Sequence, residues 1–420
     1  MKFTTEDYIT QENKYGAHNY HPLPVVLERG KGVFVYDVDG KPYYDFLSAY
    51  SAVNQGHCHP KIVGALTEQA QKLTLTSRAF FNDQLGSFEK YICEMFGYEK
   101  VLLMNSGAEA VETAMKICRK WAYEKKKIPT DKAEILFAKG NFHGRTISII
   151  SASQDVVSRK GFGPFVPGVL SVPYNNIKAI KEVFETNKNI AGFMVEPIQG
   201  EAGVILPDTD YLEQVRVLCT TYNVLYIADE IQTGVARTGS LLASCGDCSC
   251  VDKCTLPKPQ KPDVLILGKA MSGGIYPVSA VLANNEIMMC IRPGEHGSTY
   301  GGNPLACAVA RAALEVVTEE KLAINSYEKG IYLREKLEQL SKKYTIIKEV
   351  RGKGLLNAIE IDTPEDSTTA WEICLSFKNE GLLAKPTHGN KIRFSPPLCI
   401  TTDQIDECIQ KIETSIKQFS

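Results

Sequence analysis

Between about residues 100 and 285 the chain alternates short apolar segments with amphipathic ones, and this alternation restricts the architecture more than any other feature. The apolar segments fall at 101–104, 135–138, 192–195, 224–228, 264–267 and 278–282. They are mostly β-branched and carry little polar alternation, as strands buried on both faces do. Between them Val111, Ala114, Met115, Cys118 and Ala122 recur at helical spacing, and 211–222 carries a second helical pattern. The pattern predicts an α/β fold with a mainly parallel sheet wrapped by helices.

Two of these segments end on an ionisable residue. Residues 224–228 lead into Asp229 and Glu230, and residues 265–267 lead through Gly268 into Lys269. A buried strand can offer a charge at its carboxyl end, the edge where open α/β sheets bind ligands. A lysine amine and a carboxylate delivered there suit pyridoxal phosphate (PLP). The amine bonds the aldehyde carbon, and the carboxylate keeps the pyridine nitrogen protonated. Two solvated charges at strand ends are the plain alternative.

The net charge of -2, with no basic run, argues against nucleic acid and anionic membrane as partners. No apolar stretch is long enough for a membrane span. The first residues show neither a secretory core nor an Arg-rich, acid-poor pattern, so a cytoplasmic protein with mostly reduced cysteines is expected. Beyond residue 300 the pattern changes to helices at 304–320 and 322–340, then short strands near 346–350, 355–361 and 392–394. Thr401 and Gln404 have capping-box spacing and open a last helix with Ile405, Cys408, Ile409, Ile412 and Ile416 inward. The expected division is an N-terminal segment (1–50) with a hairpin at 32–46, a large domain (51–299) and a small α+β domain (300–420), the first packing on the last.

Several strand-end loops carry polar or glycine-rich runs. Asn105, Ser106, Gly107, Ala108 and Glu109 precede a helix and suit a phosphate, or only a tight turn. Phe142 and Arg145 suit a flat ring and a carboxylate, with His143 between them read as structural. Gly297, Ser298 and Thr299 form another candidate phosphate loop or linker. His57 and His59 are a poor zinc signature without a partner cluster.

Taken in order, NSGAEA (105–110), FHGRT (142–146), VEPIQGEAG (195–203), ADEIQTG (228–234), LGKAMSGG (267–274) and HGSTYGGNPLAC (296–307) resemble the class-III, fold-type-I PLP-dependent aminotransferases over nearly the whole chain. Residues 16–22, 50–60, 74–80, 385–389 and 392–394 resemble the members that act on ornithine. The resemblance implies ornithine and 2-oxoglutarate as substrates, with N-acetylornithine or 4-aminobutyrate enzymes, and a non-enzymatic scaffold, as rivals. It also implies roles. Lys269 bonds the cofactor and shuttles the proton, Asp229 pairs with the ring nitrogen, Gln232 bonds the ring oxygen and Phe142 stacks on the ring. Ser106, Gly107 and Ala108 hold the phosphate, and Ser298 and Thr299 reach it from the second subunit of a homodimer. Tyr20 and Arg145 grip the α-amino and α-carboxylate end of ornithine, and Tyr50 favours ornithine over other ω-amino acids. Glu201 and Arg393 match a switchable pair: the arginine is masked while ornithine reacts and released for glutamate.

One stretch departs from that family. Cys245, Cys248, Cys250 and Cys254 fall within ten residues, where a shorter, cysteine-poor link is expected. Four such thiols can suggest zinc, but the spacing is cramped for a single tetrahedral ion, so no metal is assigned to them. An exposed redox-active dithiol meeting a thioredoxin-like protein, and an inert surface insertion, are the other readings.

Overall fold

The computed structural model describes residues 3–245, 250–257 and 260–420. Seven strands form the main sheet: β1 (Lys100–Met104), β2 (Glu134–Ala138), β3 (Val169–Val172), β4 (Ile190–Val195), β5 (Leu225–Asp229), β6 (Val264–Leu267) and β7 (Ser279–Ala283). Their order across the sheet is β1-β7-β6-β5-β4-β2-β3. β7 runs antiparallel to both its neighbours, and the other pairings are parallel. The mainly parallel sheet read from the sequence is therefore present. The edge strand β3 was not foreseen: Val169-Leu-Ser-Val172 is short and only half-buried, so it lacks the continuous apolar signal of the central strands.

Alternate residues of each strand feed opposite cores, the two-residue period of a pleated strand. Ile135 and Phe137 face the helix Gly107–Trp121, whose Ala110, Val111, Ala114 and Cys118 are buried. Leu136 faces the helices Ile177–Thr186 and Tyr211–Thr221 through Ile180, Phe184 and Val215. A sheet covered on both faces leaves only its edges and strand ends to carry chemistry. The carboxyl ends of β1, β2, β4, β5 and β6 lie along one edge, because the two antiparallel steps through β7 return β1 to the direction of the rest.

Two smaller sheets flank this layer. Leu27–Lys31, Phe34–Asp37 and Pro42–Asp45 form an antiparallel meander, and Leu382–Leu383 joins it parallel to Pro42–Asp45. The N-terminal segment is thus hydrogen-bonded to the C-terminal part of the chain. The other sheet holds Ile347–Lys353, Leu356–Ile361, Lys391–Phe394 and Lys385–Thr387. The capping box at Thr401 forms as its spacing predicts, and Ile405, Cys408, Ile409, Ile412 and Ile416 are all buried.

Candidate active site

The site is assembled at the carboxyl edge of the main sheet. Asp229 ends β5 and is buried. Its Oδ1 accepts the Ile231 N–H at 3.0 Å, and its Oδ2 lies 2.6 Å from Nδ1 of His143, which follows β2. Burial opposes a charge on this ring, but the Asp229 carboxylate outweighs it and the His143 pKa rises above its ordinary value. Sequence reading gave His143 a structural role and missed this link. The usable signal was its place at a strand end on the same edge as Asp229. A second missed group is Glu196, buried at the end of β4, whose Oε1 accepts the Phe142 N–H at 2.8 Å. Burial pushes its carboxyl up to about 7.

Lys269 follows β6 in a left-handed conformation, φ 45°. Burial pushes its amine pKa down; the Glu201 carboxylate opposes the shift, Arg393 adds to it, and Asp229 opposes it again. The four expected charges, Lys269, Glu201, Arg393 and Asp229, therefore share one field.

Arg393, 1 % exposed, donates from Nη1 to Glu201 Oε1 at 2.8 Å and to Gln232 Oε1 at 3.0 Å. Gln232 Nε2 donates to Glu201 Oε1 at 3.1 Å, closing a triangle. Gly200 makes room for it: a Cβ there would lie 2.2 Å from Gln232 Oε1. Arg393 pulls the Glu201 carboxyl below its usual range against the cost of burial. The Arg393 guanidinium also lies over the Tyr50 ring, 5.1 Å from its centroid. Tyr50 sits in a run of left-handed residues, Ser48 to Ser51, with φ between 47° and 69°. Each non-glycine residue in that region costs about 1–2 kcal/mol. Asp45 holds the turn, its Oδ1 accepting the N–H groups of Leu47 and Ser48 at 2.9 and 2.8 Å. No sequence signal marked this strained turn.

A cavity of about 650 Å³ opens onto these groups, lined in part by Tyr50, Phe142, His143, Arg145, Glu201 and Arg393. The Phe142 ring stays 37 % exposed, with the Arg145 guanidinium 5.4 Å from its centroid. Tyr20 stands at the surface, 73 % exposed, and does not line this cavity. Ser106 caps the helix Gly107–Trp121 in a capping box with Glu109, so the N–H groups of Gly107 and Ala108 lie at the positive end of a 15-residue helix. A Cβ on Gly107 would meet the Ile231 side chain at 3.0 Å. Ser298 Oγ accepts from Asn105 Nδ2 at 2.8 Å within the same chain, which places Ser298 and Thr299 near that helix start.

The comparisons with known proteins agree with this layout. A family model described as aminotransferase class-III matches residues 15–416. The chain belongs to the class-III aminotransferases. It is 60% identical over 406 residues to a Drosophila melanogaster protein named ornithine aminotransferase, mitochondrial, covering 97% of this chain and 90% of the relative. The solved ornithine aminotransferase of Toxoplasma gondii superposes with a TM-score of 0.94 at 45% identity, over 99% of this chain and 96% of that one. A structure titled acetylornithine aminotransferase from Elizabethkingia anophelis gives 0.89 at 55% identity, over 99% and 100%. The cytoplasmic expectation is overturned: the Drosophila relative, and a rat relative 56% identical over 99% of this chain and 91% of its own, are named mitochondrial. Charge and hydropathy report the solvent around a folded protein, and an aqueous organelle compartment offers the same solvent. Among the described residues no helix is long and apolar enough to cross a membrane.

Enzymes of this family use PLP. The donor set fits it: a lysine with a depressed pKa, a carboxylate fixed by two hydrogen bonds, an aromatic face left open and a helix start without side-chain bulk at Gly107.

Among the described residues of the insertion, Cys245, Cys250 and Cys254 are all buried, which is at odds with an exposed dithiol there, and Cys254 N–H donates to Met95 O at 2.8 Å. Their Sγ atoms converge within 4.8 Å of one another. Cys248 lies outside the described residues. His57 and His59 diverge, to Asp45 at 2.7 Å and Glu320 at 2.8 Å.

Proposed function

We propose that the protein transfers the δ-amino group of L-ornithine to 2-oxoglutarate, giving glutamate 5-semialdehyde and L-glutamate. The observation that carries this reading is the Arg393–Glu201 pair, closed at 2.8 Å beneath Tyr50 and in the field of Lys269. One site must process two substrates in turn. Ornithine reacts through its distal amine, so its α-carboxylate must lie far from Lys269. Glutamate reacts through its α-amine, so its α-carboxylate must lie near. An unmasked Arg393 would attract the wrong end of ornithine, and Glu201 removes that attraction by neutralising it. Opening the pair gives 2-oxoglutarate and glutamate a cationic anchor.

PLP, when bound, supplies an electrophilic carbon and an electron-accepting ring. Lys269 Nζ takes the proton from the substrate carbon and returns it, a task helped by its lowered pKa. Asp229 holds a proton on the cofactor's ring nitrogen, and His143 fixes the carboxylate that does so. Gln232 would bond the cofactor's ring oxygen, Phe142 would cover one ring face, and the helix start at Ser106, Gly107 and Ala108 would hold the phosphate. Arg145 lines the cavity and suits the ornithine α-carboxylate, with Tyr20 as a second contact. We assign Ser298 and Thr299 to the phosphate of a second copy in a homodimer, and divide the chain into residues 1–50, 51–299 and 300–420.

The test is a spectroscopic titration of the PLP-loaded protein. Ornithine should discharge the visible cofactor band, and 2-oxoglutarate should restore it. Faster discharge by N-acetylornithine or 4-aminobutyrate would reject the substrate assignment.

A further inference from the structure

We propose that Cys245, Cys250 and Cys254 form a structural site for a thiophilic divalent cation, Zn²⁺ by its chemistry. The three Sγ atoms lie within 4.8 Å of one another, and Cys245 and Cys254 are 3.6 Å apart. Tetrahedral zinc with Zn–S bonds of about 2.3 Å requires sulfurs separated by about 3.8 Å. A disulfide, at about 2.0 Å, joins two sulfurs and leaves the third without a task. The loop also supplies an outer contact of the kind metal-bound thiolates receive: Thr255 N–H donates to Cys250 Sγ at 3.2 Å.

The backbone around the sulfurs is anchored on both sides. Leu241 N–H donates to Cys250 O at 2.8 Å, and Cys254 N–H to Met95 O at 2.8 Å. The three residues are buried in the same apolar cluster as Met95, Phe96 and Tyr98, so the ion would be shielded from chelators and from solvent. Binding needs no oxidant. The thiols give up their protons to solvent as the ion enters, and the sulfurs keep their oxidation state. The three thiolates take three corners of the tetrahedron and leave the fourth open to a further donor.

The site is tied to the catalytic edge. Ala243 and Ser244, just before Cys245, donate their N–H groups to the buried Glu230 carboxylate at 3.1 and 2.6 Å. Glu230 is the residue after Asp229. An ion on Cys245 therefore clamps the loop that holds the end of β5.

The experiment measures metal in the PLP-loaded protein, produced with added zinc and purified without chelator. About one zinc per chain is expected. C245S, C250S and C254S should each lose at least about tenfold in zinc content, while C58S, at an exposed cysteine remote in sequence, should keep it. Cobalt exchange into the wild type should give the ligand-field bands of tetrahedral thiolate coordination, to the red of the cofactor's absorption, and this readout stands even where a serine variant does not fold. Protein free of zinc after zinc supply, iron in its place, zinc unchanged in the three variants, or two thiols missing on titration of the denatured chain would each overturn the proposal.

Discussion

Replacing Glu201 by Gln removes the negative charge from the Arg393 pair while leaving an oxygen in place to accept from it. Arg393 is 1 % exposed and keeps only neutral partners in the variant, Gly200 O at 3.2 Å and Gln232 Oε1 at 3.0 Å. A charge-assisted hydrogen bond of this kind is worth about 1.5–3 kcal/mol, and breaking a buried pair can cost about 3–5 kcal/mol. Arg393 then becomes an unmasked anion site close to Lys269. The lower figure corresponds to a ten- to hundredfold gain in wrong-way binding of ornithine, so the ornithine half-reaction should slow by about that factor. The glutamate half-reaction uses the open arginine and should hold its rate or gain. Single-turnover mixing followed at the cofactor band measures the two halves separately. Equal losses in both halves would refute the masking argument, because they would show Glu201 supporting the site in general.

Other substitutions probe the remaining contacts. H143A leaves the buried Asp229 Oδ2 without its 2.6 Å partner, and kcat should fall about ten- to hundredfold with little change in KM; an unchanged kcat would remove His143 from the positioning scheme. Glu196 holds its proton up to about 7 in the folded protein against 4.5 as its ordinary value, so its contribution to stability is full below about 4.5 and is lost as pH rises to about 7. E196Q should therefore flatten part of the fall in Tm across that window relative to the wild type, and parallel Tm profiles would contradict the assignment. G200A drives a Cβ to 2.2 Å from Gln232 Oε1 and should cost about 1–3 kcal/mol in chemical denaturation, together with activity. D45A frees the left-handed turn that carries Tyr50, and its signature should be a larger loss with ornithine than with glutamate.

The central strands and the acid–lysine pair at their ends were legible because a strand buried on both faces leaves an unmistakable apolar run, and a charge stands out where that run stops. Strand β3 was not, since an edge strand needs no continuous apolarity. The His143–Asp229 and Glu196–Phe142 contacts join residues more than fifty positions apart, and no local pattern encodes such pairing. The turn at Tyr50 is held in left-handed geometry by Asp45 and contains no glycine, so it lacks the residue that normally announces such a conformation. The burial of the cysteine loop was not legible for a related reason. Ligand spacing assumes a local turn, whereas Met95 and Leu241 draw the loop inward and bring the sulfurs together.

Borohydride reduction of the PLP-loaded protein, followed by peptide mass spectrometry, addresses the identity of the bonding lysine most directly. The cofactor's mass is expected on the peptide containing Lys269, the amine whose pKa burial depresses. The cofactor found on a different lysine, or on none, would contradict the account at its root.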